Sequence, residues 1–333
     1  MNILKRMKDF KLLSTESFVR NLKPYMRREK WIQQELSNRT AGYYGERNVD
    51  YMLRTYPDNS ALALPDIRLN HKGFDFQLDN TILTHHCFVI LETKNWAGEL
   101  IYDPELRQLI QHHNGRKKRY PCPMAQAEKQ KQNLSAWLFE HDLPVPPIET
   151  FIVISNPSTI LSNPQQDEHF SKKFFHADLL HEKLDDLFAN TSTRSGPSGT
   201  NQQIFNYIKN HQIQRFDSIL THANFSRNQL MMGIPCMTCW ESTMLRHARN
   251  WHCQHCGTID KHAHVQIIYD YFLLNGMRPV TNREIRSFLQ IPSRKIVYKM
   301  LINMGLKMTG TRRHAMYHPP SLEKFPQHSN LPE

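Results

Sequence analysis

The chain has 333 residues, enough for two or three domains, and it is basic, with a formal net charge of +11 and a pI near 9.3. No run of about eighteen apolar residues occurs and the N-terminus lacks an apolar signal-peptide core, so we expect no membrane partner and a cytoplasmic location. The charge favours a polyanionic partner, most simply nucleic acid, although a generally basic soluble protein would also carry it.

The N-terminal part of the chain is predicted to be helical. Residues 1–40 form a basic segment with an amphipathic pattern, and a second helix is predicted over residues 43–56. Glu46 lies early in that second helix. If it faces the sheet that follows, its carboxylate is a candidate metal contact; alternatively it only complements the positive end of the helix.

Residues 66–102 are predicted to form strands. The run Cys87–Leu91 is almost wholly apolar and predicts a buried strand, yet it ends in Glu92 and Lys94, which strand geometry places on one face. Because unpaired buried charge is costly, this ending needs a reason. Asp79 lies thirteen residues before Glu92. An adjacent antiparallel strand would bring the two carboxylates together.

Two carboxylates and a lysine at a strand end predict a Mg²⁺ or Mn²⁺ site for phosphodiester hydrolysis, since these ions prefer hard oxygen ligands. Asp79 and Glu92 would hold the metal. Lys94 would orient or deprotonate the attacking water, or neutralise charge that develops in the transition state. A Glu-x-Lys triplet alone also arises by chance on surface strands.

A cluster of basic residues follows in a predicted loop over residues 114–120. It contains Arg116, Lys117, Lys118 and Arg119. Such a loop near a metal site would grip phosphates, whereas the alternative is a solvated run of charge.

The next element is a predicted helix from Met124 to about His141, rich in strong helix formers. Gln126 and Gln130 lie one turn apart on its surface, where they would bind the substrate backbone or fix Lys94. A solvated helix face is the alternative. Residues 150–154 then predict a second buried strand, so the element order indicates an α/β sheet with helices on its faces.

Four cysteines form two Cys-x-x-Cys pairs separated by thirteen residues: Cys236, Cys239, Cys253 and Cys256. Four thiolates with this spacing predict a tetrahedral Zn²⁺ site. Because all four positions are filled by protein ligands, the zinc is expected to be structural rather than catalytic.

The C-terminal segment, residues 262–320, predicts three amphipathic helices. Thr281 and Glu284 form a capping box, and a short turn before a basic helix resembles a helix-turn-helix. The basic residues of the predicted recognition helix are Arg294, Lys295 and Lys299. A small helical bundle that binds protein is the alternative, and residues 309–317 are a candidate wing or hairpin.

Five motifs, in this order, resemble the NERD (nuclease-related) domain family of the PD-(D/E)xK restriction-endonuclease-like superfamily: GYYGE, DIRL, FQLDN, FVILETKNWAGEL and CPMAQAEKQ. The resemblance covers roughly residues 40–155. It implies a mixed α/β nuclease core, a role in DNA processing, and active-site positions at Glu46, Asp79, Glu92 and Lys94, with Gln126 as the glutamine of the following helix. Asp75 is a rival to Asp79. The tail is similar to extensions of bacterial members.

The expected fold is α/β, a restriction-endonuclease-like mixed sheet flanked by helices, with a small zinc ribbon and a small α-helical domain. The predicted boundaries are 1–40 for the basic segment, 41–189 for the nuclease-like domain, 190–201 for a linker, 202–232 for a helical connector, 233–259 for the ribbon and 262–320 for the helix-turn-helix-like module.

The expected function is metal-dependent hydrolysis of DNA, with the C-terminal modules delivering the enzyme to its substrate and a homodimer as one possible state. A catalytically inactive DNA-binding scaffold and an RNA-directed nuclease are the alternatives. Fold alone does not decide among them.

Overall fold

The structure is a computed structural model, which describes residues 1–84, 87–191, 200–221, 225–328 and 330–332. The chain divides into two compact units. The first comprises Met1–Arg6 and Ala41–Gln214, and the second comprises Met7–Thr40 and Arg215–Glu333. Most of the predicted linker over residues 190–201 lies outside the described residues, and the predicted domain boundaries stay predictions.

The described part of the chain contains both α-helices and β-strands. The helices are α1 Phe10–Asn21, α2 Lys30–Thr55, α3 Pro123–Glu140, α4 Glu168–Lys173, α5 Leu180–Thr191, α6 Thr200–His211, α7 Ala263–Leu274, α8 Asn282–Leu289 and α9 Arg294–Asn303. The strands are β1 Asn2–Ile3, β2 Leu62–His71, β3 Phe74–Leu83, β4 Phe88–Lys94, β5 Glu99–Asp103, β6 Gln108–His113, β7 Arg116–Pro121, β8 Ile148–Ile154, β9 Ile160–Ser162, β10 Phe174–His176, β11 Met244–His247, β12 Asn250–Cys253, β13 Ile259–Asp260, β14 Val280–Thr281, β15 Met308–Thr309 and β16 Met316–Tyr317. In the part of the chain that the structure describes, no helix has both the length and the apolar character needed to cross a bilayer.

The first unit is built on a six-stranded sheet in the order β1-β2-β3-β4-β8-β10. Strands β2, β3 and β4 are antiparallel neighbours, whereas β4, β8 and β10 run parallel. Parallel neighbours need a crossover, and helix α3 supplies the one between β4 and β8. The predicted mixed sheet flanked by helices is therefore confirmed.

Helices cover both faces of this sheet, because strand β4 is apolar on each side. Val89 and Leu91 pack with residues of α2 and α5, whereas Phe88 and Ile90 pack with residues of α3 and α6. All four side chains are fully buried. Even-numbered residues of β4 thus face α3, which places Glu92 on the α3 side of the sheet at the end of the strand.

Helix α2 starts earlier than predicted, at Lys30 rather than near residue 43, so Glu46 lies in its interior and not at its N-terminus. The helix approaches the ends of β4 and β8 closely at Gly45. A Cβ atom there would lie 2.5 Å from Ser155 Oγ and 2.7 Å from Asn95 Cβ. Asn95 also donates to the Ala41 carbonyl at 2.7 Å. Only glycine permits this approach, which fixes α2 beside the strand ends.

A second sheet of the first unit has the order β7-β6-β5-β9. The prediction of a basic loop over residues 114–120 is wrong, because Arg116–Pro121 is strand β7. His113 pairs with Arg116, so β6 and β7 are joined by a two-residue turn of Asn114 and Gly115, which have φ values of 49° and 71°. This is the Asn-Gly hairpin turn that requires positive φ at both positions.

The second unit contains a short antiparallel sheet, β11-β12-β13, and a C-terminal module with the element order α7, β14, α8, α9, β15, β16. The three predicted helices and the hairpin after them are present. Thr281 and Glu284 form the predicted capping box at the start of α8. Gln290 ends that helix in the left-handed conformation, so a short turn connects α8 to α9.

Candidate active site and nucleic-acid interfaces

Two carboxylates meet across strands β3 and β4. Asn80 pairs with Leu91 in the antiparallel ladder, which places Asp79 opposite Glu92. Opposite residues of an antiparallel pair have Cβ atoms about 5 Å apart and share one face. Asp79 Oδ2 also accepts from the Thr93 amide at 2.9 Å. The sequence spacing thus correctly predicted that the two carboxylates come together.

Glu92 is the most heavily hydrogen-bonded member of this centre and is 1% exposed. Its Oε1 atom accepts from Lys94 Nζ and, at 2.6 Å, from Gln126 Nε2. Its Oε2 atom accepts from Gln130 Nε2 at 2.7 Å. Gln126 Oε1 in turn accepts from Lys94 Nζ at 3.2 Å. Gln126 therefore orients both Glu92 and Lys94, whereas Gln130 contacts Glu92 but not Lys94.

The electrostatics of the centre fit a divalent cation. Desolvation and the neighbouring Glu92 carboxylate together raise the pKa of Asp79 to about 7. Two ionised carboxylates side by side repel each other, and a cation between them would relieve that repulsion. Carboxylate oxygens are also the ligands that Mg²⁺ and Mn²⁺ prefer. Asp79 and Glu92 are therefore the residues that would hold such an ion.

The other acidic candidates lie differently. Asp75, the rival of Asp79, is exposed near the β2–β3 turn and accepts from Asn70 Nδ2 at 2.5 Å, away from Glu92. Glu46 forms a salt bridge with Arg6. Asn80, which alternates with Asp79 along β3, also binds Arg6, at 3.1 Å. Glu46 thus contacts residues on the α2 side of the sheet, and its role as a metal contact stays a prediction.

Arg6 is a central residue of the site that sequence reasoning missed. Besides Glu46 and Asn80, the buried guanidinium binds Asp50 Oδ2 at 2.7 Å and the Asp79 carbonyl at 2.8 Å. It therefore ties helix α2 to strand β3 at Asp79. No sequence pattern distinguishes it from the other basic residues of the N-terminal segment.

We expect Arg6→Met to lower the free energy of unfolding by about 3–5 kcal/mol, because it leaves the carboxylate of Asp50 buried without its partner. Asp50 is 4% exposed. Urea denaturation of the full chain measures the change. The exposed Arg54 on the same helix provides the control variant Arg54→Met, for which we expect a change within about 0.5 kcal/mol. Equal effects of the two substitutions would contradict a structural role for the Arg6 network.

The predicted phosphate-binding residues Arg116, Lys117, Lys118 and Arg119 are exposed along strand β7. Strand alternation splits them between two faces. Lys118 and Tyr120 face the same way, and the Lys118 ammonium lies 4.7 Å from the Tyr120 ring centroid. Arg119 lies on the other face, where its Nε donates to Gln108 Oε1 at 2.6 Å. Phosphate binding by these residues stays a prediction.

The four cysteines form one cluster whose ligand atoms all lie within 4.8 Å of one another. The Sγ atoms of Cys236 and Cys256 are 3.7 Å apart, and those of Cys239 and Cys253 are 3.6 Å apart. Zinc bonded to four thiolates at about 2.3 Å would separate neighbouring sulfur atoms by about 3.8 Å. The cluster is therefore compatible with a structural zinc ribbon.

A basic groove of about 780 Å³ lies in the C-terminal module, between helices α8 and α9 and the β15–β16 hairpin. The basic residues that line it are Arg283, Arg286, Arg294, Lys295 and Arg312, and none of its described lining residues is acidic. Arg294 also donates to the Arg312 carbonyl at 3.0 Å, which links α9 to the hairpin. Lys299, one turn beyond Lys295, is exposed outside the groove.

Comparison with known proteins identifies one domain. The family model for the nuclease-related domain (NERD) matches residues 41–155, about a third of the chain. Neither the curated proteins nor the solved structures include a significant match. The matched range contains Asp79, Glu92, Lys94 and Gln126, the residues that the structure brings together. Residues 41–155 of this chain are thus a nuclease-related domain of the NERD family.

Proposed function

We propose that the chain hydrolyses phosphodiester bonds of DNA with the help of Mg²⁺ or Mn²⁺, at the centre formed by Asp79, Glu92, Lys94 and Gln126. The observation that carries this proposal is the pair of carboxylates opposed across β3 and β4, with the Lys94 ammonium on one of them. A nuclease-related domain in the same range supports it.

Each residue has a definable part in this chemistry. Asp79 and Glu92 would hold the ion, and when bound the ion would polarise the scissile phosphate and lower the pKa of a water. Lys94, held by Glu92 and Gln126, is positioned to orient the attacking water and to neutralise charge that builds on the phosphate. Gln130 and the Thr93 amide fix the carboxylates, so that little reorganisation accompanies the reaction.

The second unit would deliver the enzyme to DNA. The basic groove beside α9 matches the charge of a phosphate backbone, and α8, the short turn and α9 have the order of a helix-turn-helix. Arg294, Lys295 and Lys299 would then contact DNA. The zinc ribbon is expected to stabilise this unit rather than to take part in hydrolysis.

The test is cleavage of labelled linear DNA, supercoiled DNA and RNA by the full chain in Mg²⁺ or Mn²⁺ and in EDTA. A double variant, Asp79→Ala with Lys94→Ala, is assayed beside it. Metal-dependent cutting of DNA by the wild type alone supports the proposal. Retarded DNA on a gel without cutting in any metal favours a binding scaffold, and preferential cutting of RNA contradicts the assignment to DNA.

A further inference from the structure

A row of two ammonium groups and two aromatic rings extends from the candidate centre. The Lys94 ammonium, which touches Glu92, lies 5.7 Å from the centroid of the Trp96 ring. Trp96 stacks on Tyr120 with centroids 4.5 Å apart and planes inclined by 26°. The Lys118 ammonium lies over Tyr120 at 4.7 Å. These four residues, Lys94, Trp96, Tyr120 and Lys118, form what we call the aromatic track.

The backbone around Trp96 is held in place by polar contacts. The Thr159 hydroxyl donates to the Trp96 carbonyl, and Gln111 Nε2 donates to the next carbonyl, that of Ala97, at 2.7 Å. Gln111 Oε1 also accepts from the Tyr120 hydroxyl at 3.2 Å. Gln111 therefore connects the Tyr120 hydroxyl to the backbone that follows Trp96, so the segments that carry the two stacked rings are held together by polar contacts.

The platform formed by the two stacked rings is partly accessible to solvent. Trp96 and Tyr120 are both only partly buried, and they cover the edge of a small hydrophobic core. Strand β7 is an edge strand, and its Arg116 and Lys118 are exposed on the face that carries Tyr120. A cation over a ring that is partly accessible to solvent is held weakly, so Lys118 can exchange the ring for a phosphate and leave the Tyr120 face to another planar group.

We propose that the aromatic track binds an unpaired strand of DNA and guides it to the centre at Lys94. Bases would stack on Tyr120 and Trp96, while Lys118 and Arg116 would contact the phosphates between them. Aromatic rings with interleaved cations are the common means of binding single strands, because every unpaired base offers a π-face. A duplex hides those faces in its own stack. This inference rests on the proposed function and names its substrate as single-stranded or frayed DNA.

The first test measures binding of the full chain to labelled oligothymidine and to a duplex of the same length, in EDTA, by fluorescence anisotropy. We expect Tyr120→Leu and Trp96→Leu each to weaken oligothymidine binding by at least about fivefold, in line with the loss of one stacked base. We expect duplex binding to change by less than about twofold, since phosphate contacts elsewhere would dominate it. Phe74→Leu is the matched control, at an aromatic residue that is 79% exposed at the start of β3, and it should change neither affinity.

A second variant tests the aromatic track without removing a packed ring, because the aromatic substitutions could also impair folding. Lys118→Ala removes an exposed side chain, and we expect it to reduce the salt dependence of oligothymidine binding by about 0.7 in log–log slope, the value for one phosphate contact on a single strand. Lys172→Ala, at an exposed residue of helix α4, is its control. Unchanged oligothymidine affinity in both Tyr120→Leu and Lys118→Ala, or an equal loss on duplex, would overturn the proposal.

Binding in EDTA separates this inference from the proposed hydrolysis. If the chain cuts no DNA in any metal but its oligothymidine binding depends on Tyr120, the proposed hydrolysis is refuted and the aromatic track is supported. A chain that cuts DNA while Tyr120→Leu binds oligothymidine normally refutes the track alone.

Discussion

Substituting Asp79 by asparagine should lower the rate of metal-dependent DNA cleavage by at least about a thousandfold. Asparagine keeps the size of the side chain and can still accept from the Thr93 amide, the contact that Asp79 makes at 2.9 Å. What it loses is the charge that would bind the ion beside Glu92. The loss of rate should therefore come with little loss of fold, which circular dichroism and thermal unfolding of the same preparation would check.

The strand itself supplies a control for this substitution. Asp75→Asn makes the same chemical change four residues earlier on β3, at a side chain that binds Asn70 and is exposed. We expect its cleavage rate to stay within about twofold of wild type. The cleavage rate of Gln126→Leu should lie between those of Asp79→Asn and Asp75→Asn, with a loss of roughly tenfold to a hundredfold. This substitution removes a positioning contact and not a ligand of the proposed ion. Equal rates for Asp79→Asn and Asp75→Asn would refute the proposed centre.

The pH dependence of stability gives an independent measure of this site without any substrate. The pKa of Asp79 is raised from 3.8 to about 7, so the folded chain holds a proton there that the unfolded chain has released. The contribution of Asp79 to the free energy of unfolding is therefore fully present below about pH 4. It falls as the pH rises from about 4 to about 7, and it does not change further above pH 7. Mg²⁺ should restore stability at about pH 8 in the wild type and not in Asp79→Asn, with thermal unfolding as the measurement.

The core of the first unit could be predicted from the sequence because its determinants are local. An apolar run that ends in Glu92 and Lys94 specifies a buried strand with charge at its end, and the distance to Asp79 leaves room for one turn between two antiparallel strands. The sequence also predicts that Gln126 and Gln130 share one helix face and would bind the substrate backbone or fix Lys94. In the structure Gln126 contacts Lys94, but both glutamines also donate to Glu92, a partner that the sequence does not predict. Their division between the two oxygens of Glu92 depends on how α3 packs, which sequence patterns do not show.

Two features escaped prediction for different physical reasons. The run of charge in residues 116–119 predicts a basic loop, but the Asn114-Gly115 pair fixes a hairpin turn, and this local geometry outweighs the composition of the strand after it. Arg6 could not be foreseen, because its partners Asp50 and Asn80 are distant in sequence and only folding brings them together. The contact is a property of the tertiary structure alone.

Removing zinc should unfold the ribbon and lower the melting temperature of the second unit by more than about 10 °C, since structural zinc contributes on the order of 10 kcal/mol or more to folding. The reason for so large an effect lies in the core. Cys236, Cys253, Met244 and Trp251 belong to the same buried cluster as residues of α1 and α7. Without the metal, the two cysteine pairs would lose the bonds that hold them together beside that cluster.

Calorimetry of the full chain before and after dialysis against a chelator, together with metal analysis, tests this expectation. Wild type should hold one zinc per chain. Cys253→Ser should lose the metal and, with it, the part of the calorimetric unfolding transition that occurs at the higher temperature. Cys122→Ser is the matched control, since Cys122 is a buried cysteine of the first unit outside the cluster, and it should retain full zinc content. A chelated chain that melts at the temperature of the untreated one would show that the ribbon is not held by metal. The fold of the second unit would then depend on its apolar core alone, because the cysteine pairs would contribute no more than small buried side chains do.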